Sequence, residues 1–247
     1  MRRDYKAEFA NRVLFIKDVL KKSGASGIVF GNSGGKDSAL VGILCKAACE
    51  NTVGIIMPCS AKRNFGIDKD DGLEVAEQFH IETRIIDLTA QKELVLDNLK
   101  GITTPINSAI ANIAPRLRMI TLYAVAASEG YLVAGTGNRS EIYMGYFTKW
   151  GDGAYDLNPI ADLTVTEIYE FLKYLNVPKN ILGKAPSGGL FEGQTDEAEM
   201  GVTYQAIDEY ITTGQATERD KEIMERFHTR SEHKRVGPTV YKPLDDI

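Results

Sequence analysis

The chain has 247 residues, 43% hydrophobic and 26% charged, with 29 Lys and Arg against 34 Asp and Glu and a formal net charge of −5. That apolar content can close a substantial core and excludes a disordered chain, while three Cys and eight Pro exclude disulfide-stapled and collagen-like architectures. The negative balance argues against nucleic acid as a partner. No apolar run suits a membrane span or a signal peptide, and the odd cysteine number suggests reduced thiols in a cytoplasmic protein.

Apolar positions at helical spacing predict a helix over Glu8–Lys22, followed by a short buried strand at Gly27–Gly31. The glycine-rich segment Asn32–Ser38 leads into a helix at Ala39–Glu50. Further strands are expected at Val53–Met57, Thr83–Ile86 and Tyr131–Ala134, alternating with helices at about Asp70–Phe79, Ala90–Leu99 and Asn107–Glu129. The last of these has Pro115 inside it or at a break, and a stripe of Ile110, Ile113, Leu117, Ile120 and Ala124. Thr164-x-x-Glu167 reads as a capping box opening a helix to Leu175, and Asp196-x-x-Glu199 as a second candidate cap. Helical patterns recur at Thr203–Ile211 and Thr217–His228. Strands alternating with helices in this way predict an α/β fold, a mainly parallel sheet flanked by helices, with the ligand site at the carboxyl ends of the strands. No repeat or linker divides residues 1–247, so one domain is expected, with a segment from about 183 that can move.

The segment Gly31-Asn32-Ser33-Gly34-Gly35-Lys36-Asp37-Ser38 joins a strand to a helix. Small residues there let backbone N–H groups converge on an anion, aided by the helix N-terminus. It is not a Walker motif, because Asp37 separates Lys36 from Ser38, and it does not have the spacing of the dinucleotide fingerprint. A carboxylate beside phosphates needs a cation between them, which makes Asp37 a candidate Mg²⁺ ligand. A glycine-rich turn with an Asp cap is the alternative reading.

Ser33-Gly34-Gly35-Lys36-Asp37-Ser38 resembles the S-G-G-x-D-S loop of the ATP-pyrophosphatase superfamily, with its adenine nucleotide alpha hydrolase-like, Rossmann-like fold. Asn112–Met119, Gly135–Glu141, Gly145–Gly153, Leu190–Glu197 and His233-Lys234-Arg235 follow in the order found in ammonia-dependent NAD synthetases, and the resemblance runs from Gly27 to Pro238. It implies ATP-dependent amidation of deamido-NAD with ammonia, through an adenylated intermediate, releasing AMP and pyrophosphate. It further implies that Asp37 and Glu141 hold Mg²⁺ and are catalytic, and that Thr136 and Ser187 join the loop at Gly31–Ser38 in binding ATP. Arg116, Lys149, Asp156, His233 and Lys234 would contact deamido-NAD, with Tyr146, Phe147 and Trp150 able to flank the pyridine ring. A homodimer, with Asn107–Glu129 as its surface, is also implied.

One position departs from the family, which usually carries a lysine where this chain has Val165. Lys36 lies at a position that is often apolar, and it either supplies the missing cation or points to solvent. Cys45 and Cys49, four apart on a helix, are expected in the core, and Cys59 near the crevice. Two other functions fit the loop alone: a tRNA-modifying or sulfur-transfer ATP-pyrophosphatase, and a nucleotide-binding regulatory domain without turnover. The first would need a basic RNA surface, and the second has no use for Glu141, Arg116 or His233-Lys234.

Overall fold

A computed structural model describes residues 3–184 and 195–241. In chain order it forms α1 (Tyr5–Ser23), β1 (Gly27–Gly31), α2 (Lys36–Ala48), β2 (Thr52–Ile56), α3 (Lys62–Phe65), α4 (Ile67–Gln78) and β3 (Glu82–Ile85). Then come α5 (Thr89–Leu99), α6 (Asn107–Ala111), α7 (Ile113–Glu129) and β4 (Tyr131–Ala134). The remaining described elements are helices: α8 (Arg139–Met144), α9 (Val165–Tyr174), α10 (Lys179–Gly183), α11 (Asp196–Met200), α12 (Tyr204–Thr213), α13 (Glu218–Arg230) and α14 (Glu232–Arg235).

The four strands are all parallel, in the order β3-β2-β1-β4, with Ile28 opposite both Thr52 and Leu132. Alternation along β1 divides two cores. Ile28 and Phe30 pack with Leu40, Leu44, Val75 and Phe171 on one face, where α2 and α4 lie under α1 and α9. Val29 packs with Val53, Ile55 and Val133 on the other, against Met119, Leu122 and Ala126 of α7. This is the parallel α/β arrangement that the periodicity predicts, and the Rossmann-like one that the resemblance implies. The edge strand β3 is polar in the middle, with Glu82, Thr83 and Arg84, and no residue in it is fully buried. A third core of Met144, Val165, Met200, Tyr204, Ile207 and Met224 binds the C-terminal helices to α8 and α9. No described helix is long and apolar enough to cross a membrane.

Local chemistry sets the helix starts. The Thr164 hydroxyl accepts from the Glu167 N–H at 3.2 Å while the Glu167 carboxylate accepts from the Thr164 N–H at 2.8 Å, the capping box expected there. Asp196 does not cap. Thr195 holds the N-cap position without a side-chain bond, and the Asp196 carboxylate accepts from the Tyr204 hydroxyl at 3.0 Å. The segment expected as one helix over 107–129 divides at Asn112, and Pro115 sits in the first turn of α7, where its missing N–H breaks no helical bond. Its buried residues are Ala114, Pro115, Met119, Leu122 and Ala126, and the predicted stripe member Ile120 is 66% exposed. The apolar run supplies two stripes, and the one facing the sheet is that of Ala114, Met119, Leu122 and Ala126.

Strand order reverses between β1 and β4. From β1 the chain steps to β2 and β3 on one side and returns to β4 on the other, so the loops after β1 and β4 diverge and leave a crevice at their carboxyl ends.

Candidate active site

The crevice opens into a cavity of about 1260 Å³, lined at its base by Gly31, Asn32, Ser33, Gly35, Lys36, Asp37 and Ser38 from the first loop and by Gly135, Thr136, Gly137 and Glu141 from the loop after β4. The first loop is held from behind. Asn32, 4% exposed, donates through Nδ2 to the Gly72 carbonyl at 2.9 Å. Gly34 has φ of +67°, and a Cβ there would stand 1.9 Å from the Asp68 carbonyl oxygen, so the turn requires glycine. Helix α2 begins at Lys36, three residues before the sequence pattern suggests, because a polar first turn carries no apolar periodicity. Its N-cap Gly35 offers no side-chain acceptor, which leaves the first-turn N–H groups for an anion in the cavity. The Ser33 and Ser38 hydroxyls lie 3.1 Å apart in the same wall.

Asp37 and Glu141 each occupy the first turn of a helix, α2 and α8, and one residue joins them. Asn138 is fully buried at the N-cap of α8, where its side chain accepts from the Glu141 N–H at 3.0 Å and its own N–H donates to Glu141 Oε2 at 3.2 Å. Its Nδ2 donates to Asp37 Oδ1 at 3.0 Å. Burial, and then the nearby Asp37 charge, push the Glu141 carboxyl well above the usual carboxylate range. A carboxylate held so unfavourably as an anion fits a place where a cation belongs. Among the described residues no three His, Cys, Asp or Glu gather as a metal centre. A pair of oxygen donors opening on a glycine-rich loop would suit a hard ion that takes its other ligands from phosphate and water.

Lys36 points neither to solvent nor freely into the cavity. Its side chain is 6% exposed, with Nζ 2.7 Å from Asp37 Oδ2 and lying 6.0 Å and 5.7 Å from the ring centroids of Tyr169 and Tyr204. Burial alone would lower its pKa, but Asp37 and Glu141 outweigh that and hold the ammonium above the usual lysine range. Val165 is buried in the C-terminal core at the start of α9, outside the cavity lining, its N–H donating to Ser140 Oγ at 3.2 Å.

Arg116, Lys149 and His233 form one hydrogen-bonded chain outside the cavity lining, with Lys234 next to His233 in sequence. Arg116 donates to the Lys149 carbonyl at 3.2 Å, and Lys149 Nζ to the His233 carbonyl at 2.6 Å. Of these, Lys234 alone lines the cavity, donating to the carbonyls of Gly145 and Phe147 at 2.7 Å each. Asp156 lies apart from that chain, accepting from the Tyr123 hydroxyl at 3.2 Å and the Val133 N–H at 2.8 Å. Phe147 and Tyr146 line the cavity, whereas Trp150 is 58% exposed and lies under the Lys149 ammonium. Ser187 lies outside the described residues. Cys59 is 2% exposed, faces the core rather than the cavity, and donates weakly to the Leu88 carbonyl. Cys45 is buried as expected, and Cys49 packs partly against the same core.

Three residues of the site were not anticipated, of which Arg118 and Lys184 line the cavity. Arg118 enters the cavity one helical face away from Arg116, with Nε on the Met57 carbonyl at 3.0 Å, and burial draws its pKa down. The true buried stripe of α7 would have revealed it, since Pro115, Arg118 and Leu122 share a face. Asn138 was legible as the cap of N-x-x-E. Lys184 had no local signal. It binds Asp68, Asp71 and the Gly34 carbonyl at 2.7, 2.7 and 2.9 Å, partners more than 100 residues away.

Two outcomes follow from this geometry. Gly34→Ala forces the loop off Asp68 and should weaken adenine nucleotide binding by about tenfold or more in calorimetric titration. Unchanged affinity would show that the loop does not hold phosphate. Glu141 has its folded pKa raised above the ordinary 4.5, so its ionised form disfavours folding, and stability of the metal-free protein should rise as pH falls through the folded value toward 4.5. Glu141→Gln mimics the protonated state and should raise the melting temperature at pH 7 by about 2–4 °C while flattening that pH dependence. A lowered melting temperature would mean that the anion is stabilised after all.

Comparison with known proteins agrees with this geometry over nearly the full chain. Residues 8–242 match the family model described as NAD synthase. An ammonia-dependent NAD(+) synthetase of Carboxydothermus hydrogenoformans is 44% identical over 243 residues, covering 97% of this chain and 99% of the relative. Among solved structures, an NMN synthetase of Francisella tularensis superposes with a TM-score of 0.91 at 39% identity, covering 98% of this chain and 99% of its own. An ammonia-dependent NAD synthetase of Campylobacter jejuni superposes with a TM-score of 0.78 at 29% identity, covering 97% and 100%. With its glycine-rich loop, paired carboxylates and strand order in place, the chain belongs to the NAD synthase family.

Proposed function

We propose that this chain is an ammonia-dependent ligase that converts deamido-NAD to NAD with ATP, through an adenylated intermediate. The observation that carries the proposal is the meeting of the loop at Ser33–Ser38 with Asp37 and Glu141 at one end of a cationic cavity, in a chain of this family. In the first step an oxygen of the nicotinate carboxylate bonds to the α-phosphorus, and the bond to the β-phosphate oxygen breaks to release pyrophosphate. Ammonia then bonds to the activated carbonyl carbon, the acyl–phosphate bond breaks to release AMP, and the added nitrogen gives up a proton.

Both partners of the first step are anions, so the chain's task is to bring them together. The first-turn N–H groups of α2 and the Ser33 and Ser38 hydroxyls would hold phosphate oxygens, with Thr136 and Ser187 as further ATP contacts. Asp37 and Glu141 would hold Mg²⁺, which supplies charge neutralisation between them and the phosphates. Arg118 and Lys234, each half-buried and bonded to carbonyl groups, would face the substrate phosphates from the opposite wall. Arg116, Lys149, Asp156 and His233 would contact the rest of deamido-NAD outside the mouth. The reading also includes a homodimer through the outer face of α7, where Ile120 and Tyr123 are exposed, and a cytoplasmic location. Light scattering at micromolar concentration should give twice the chain mass, and a stable monomer would remove the dimer.

A second acceptor is favoured by one observation. The higher TM-score, 0.91 against 0.78, belongs to the Francisella NMN synthetase. The corresponding substrate is nicotinate mononucleotide, which carries the same reacting carboxylate without the adenylyl half. Purified protein with Mg-ATP, ammonium and the two acceptors in competition should yield one AMP and one pyrophosphate per amide formed, with deamido-NAD preferred in kcat/KM. Preference for the mononucleotide would establish the second reading. AMP release with neither acceptor consumed would overturn both.

A further inference from the structure

Lys36 is the one ammonium in the described structure that bonds to a carboxylate assigned to the metal. Its position is built rather than incidental. It begins α2, its side chain is 6% exposed, and Nζ sits 2.7 Å from Asp37 Oδ2, with Glu141 the second carboxylate charge acting on it. Tyr169 and Tyr204 stand over the ammonium at 6.0 and 5.7 Å and close off one side. Tyr204 is itself fixed, 3% exposed, with its hydroxyl on Asp196 at 3.0 Å. On its other side Lys36 lines the cavity next to Ser33, Gly35 and Ser38.

We propose that Lys36 is a resident counter-ion for the Asp37–Glu141 pair, displaced when a divalent cation enters and transferred to the phosphates of the nucleotide. The inference rests on the reading of those carboxylates as the metal-holding pair. A buried ammonium and a divalent ion cannot share one carboxylate pair without strong repulsion in a site sheltered from water. The tyrosine rings flank the ammonium, and the cavity into which Lys36 already opens is lined by Ser33, Gly35 and Ser38 of the same loop. Metal entry and phosphate binding are thereby coupled: without nucleotide the ammonium competes with the metal, and with nucleotide it gains a new anion to neutralise. The cation that the family usually places at Val165 is, in this chain, supplied from the phosphate loop itself.

The test uses Mn²⁺ alone as the probe, followed by electron paramagnetic resonance without nucleotide. Lys36→Met and Lys36→Gln should each bind Mn²⁺ about tenfold more tightly than the parent, and should bind metal-free ATP about tenfold more weakly in EDTA. Opposite signs for the two ligands are the signature, since general damage would weaken both. Unchanged or weaker Mn²⁺ binding in a variant that melts as the parent does would overturn the proposal. A crystal structure of the unaltered protein with Mn²⁺ and no nucleotide gives a second reading that needs no variant. Lys36 Nζ should have left Asp37, and an intact Lys36–Asp37 bond beside bound Mn²⁺ would overturn the proposal equally. Asp37→Asn separates the two levels. It should lose Mn²⁺ binding, and if it keeps the parent affinity the carboxylate assignment itself fails, and this inference with it.

Discussion

Two carboxylates are forced together at the end of a parallel sheet, and much of the site is a response to that crowding. Because β1 and β4 are hydrogen-bonded neighbours running the same way, the helices that follow them start at the same end of the sheet. Each carries an acid in its first turn, Asp37 in α2 and Glu141 in α8. The helix N-termini favour negative charge there, worth of order 0.3–1 kcal/mol apiece when exposed. That does not offset the burial of two like charges, which is why Glu141 is pushed toward its protonated form. Asn138 answers the same problem with its side-chain amide, donating a hydrogen bond to Asp37 while capping the helix that carries Glu141. Lys36 answers it with charge.

The cavity cations divide by what they are bonded to. Lys36 and Lys184 are paired with carboxylates, so an incoming phosphate must compete with a full negative charge. Lys234 bonds to two backbone carbonyls, and Arg118 to the Met57 carbonyl and the Asn64 side chain. Carbonyl partners satisfy the donors without neutralising them, and burial lowers the pKa of both. Such cations gain most from an anion. Lys184 serves a different end: by holding the Gly34 carbonyl against Asp68 and Asp71 it fixes the shape of the phosphate loop from the C-terminal half of the chain.

What was legible in the sequence follows the range of the interaction. The strands at Gly27–Gly31 and Tyr131–Ala134, the parallel sheet and the box at Thr164–Glu167 rest on local periodicity or a spacing of three, and they stand as read. The loop at Ser33–Ser38 was readable because its constraint, a glycine at positive φ before a helix, is local too. The face of α7 was not, since two apolar stripes compete and only the sheet decides between them. The misread face concealed Arg118, whereas Arg116 is implied by the family resemblance alone. Asp196 looked like a cap but is bonded to Tyr204, a choice made by the packing of α11 on α12 rather than by either segment. Lys184 and the tyrosine walls around Lys36 depend on contacts across more than 100 residues, and no short window contains them.

The net charge of −5 is compatible with a site for anions because the two act over different distances. Charges on the outer surface are screened within about 8 Å at physiological ionic strength. Those inside the cavity are shielded from counter-ions by the walls that bury them, and their fields act over the few ångströms that a phosphate traverses last. The acidic balance of the whole chain therefore opposes broad contact with polyanions without opposing a small one that enters. On the proposed function, a compact phosphate ligand would be favoured by where the cations are placed rather than by the overall charge.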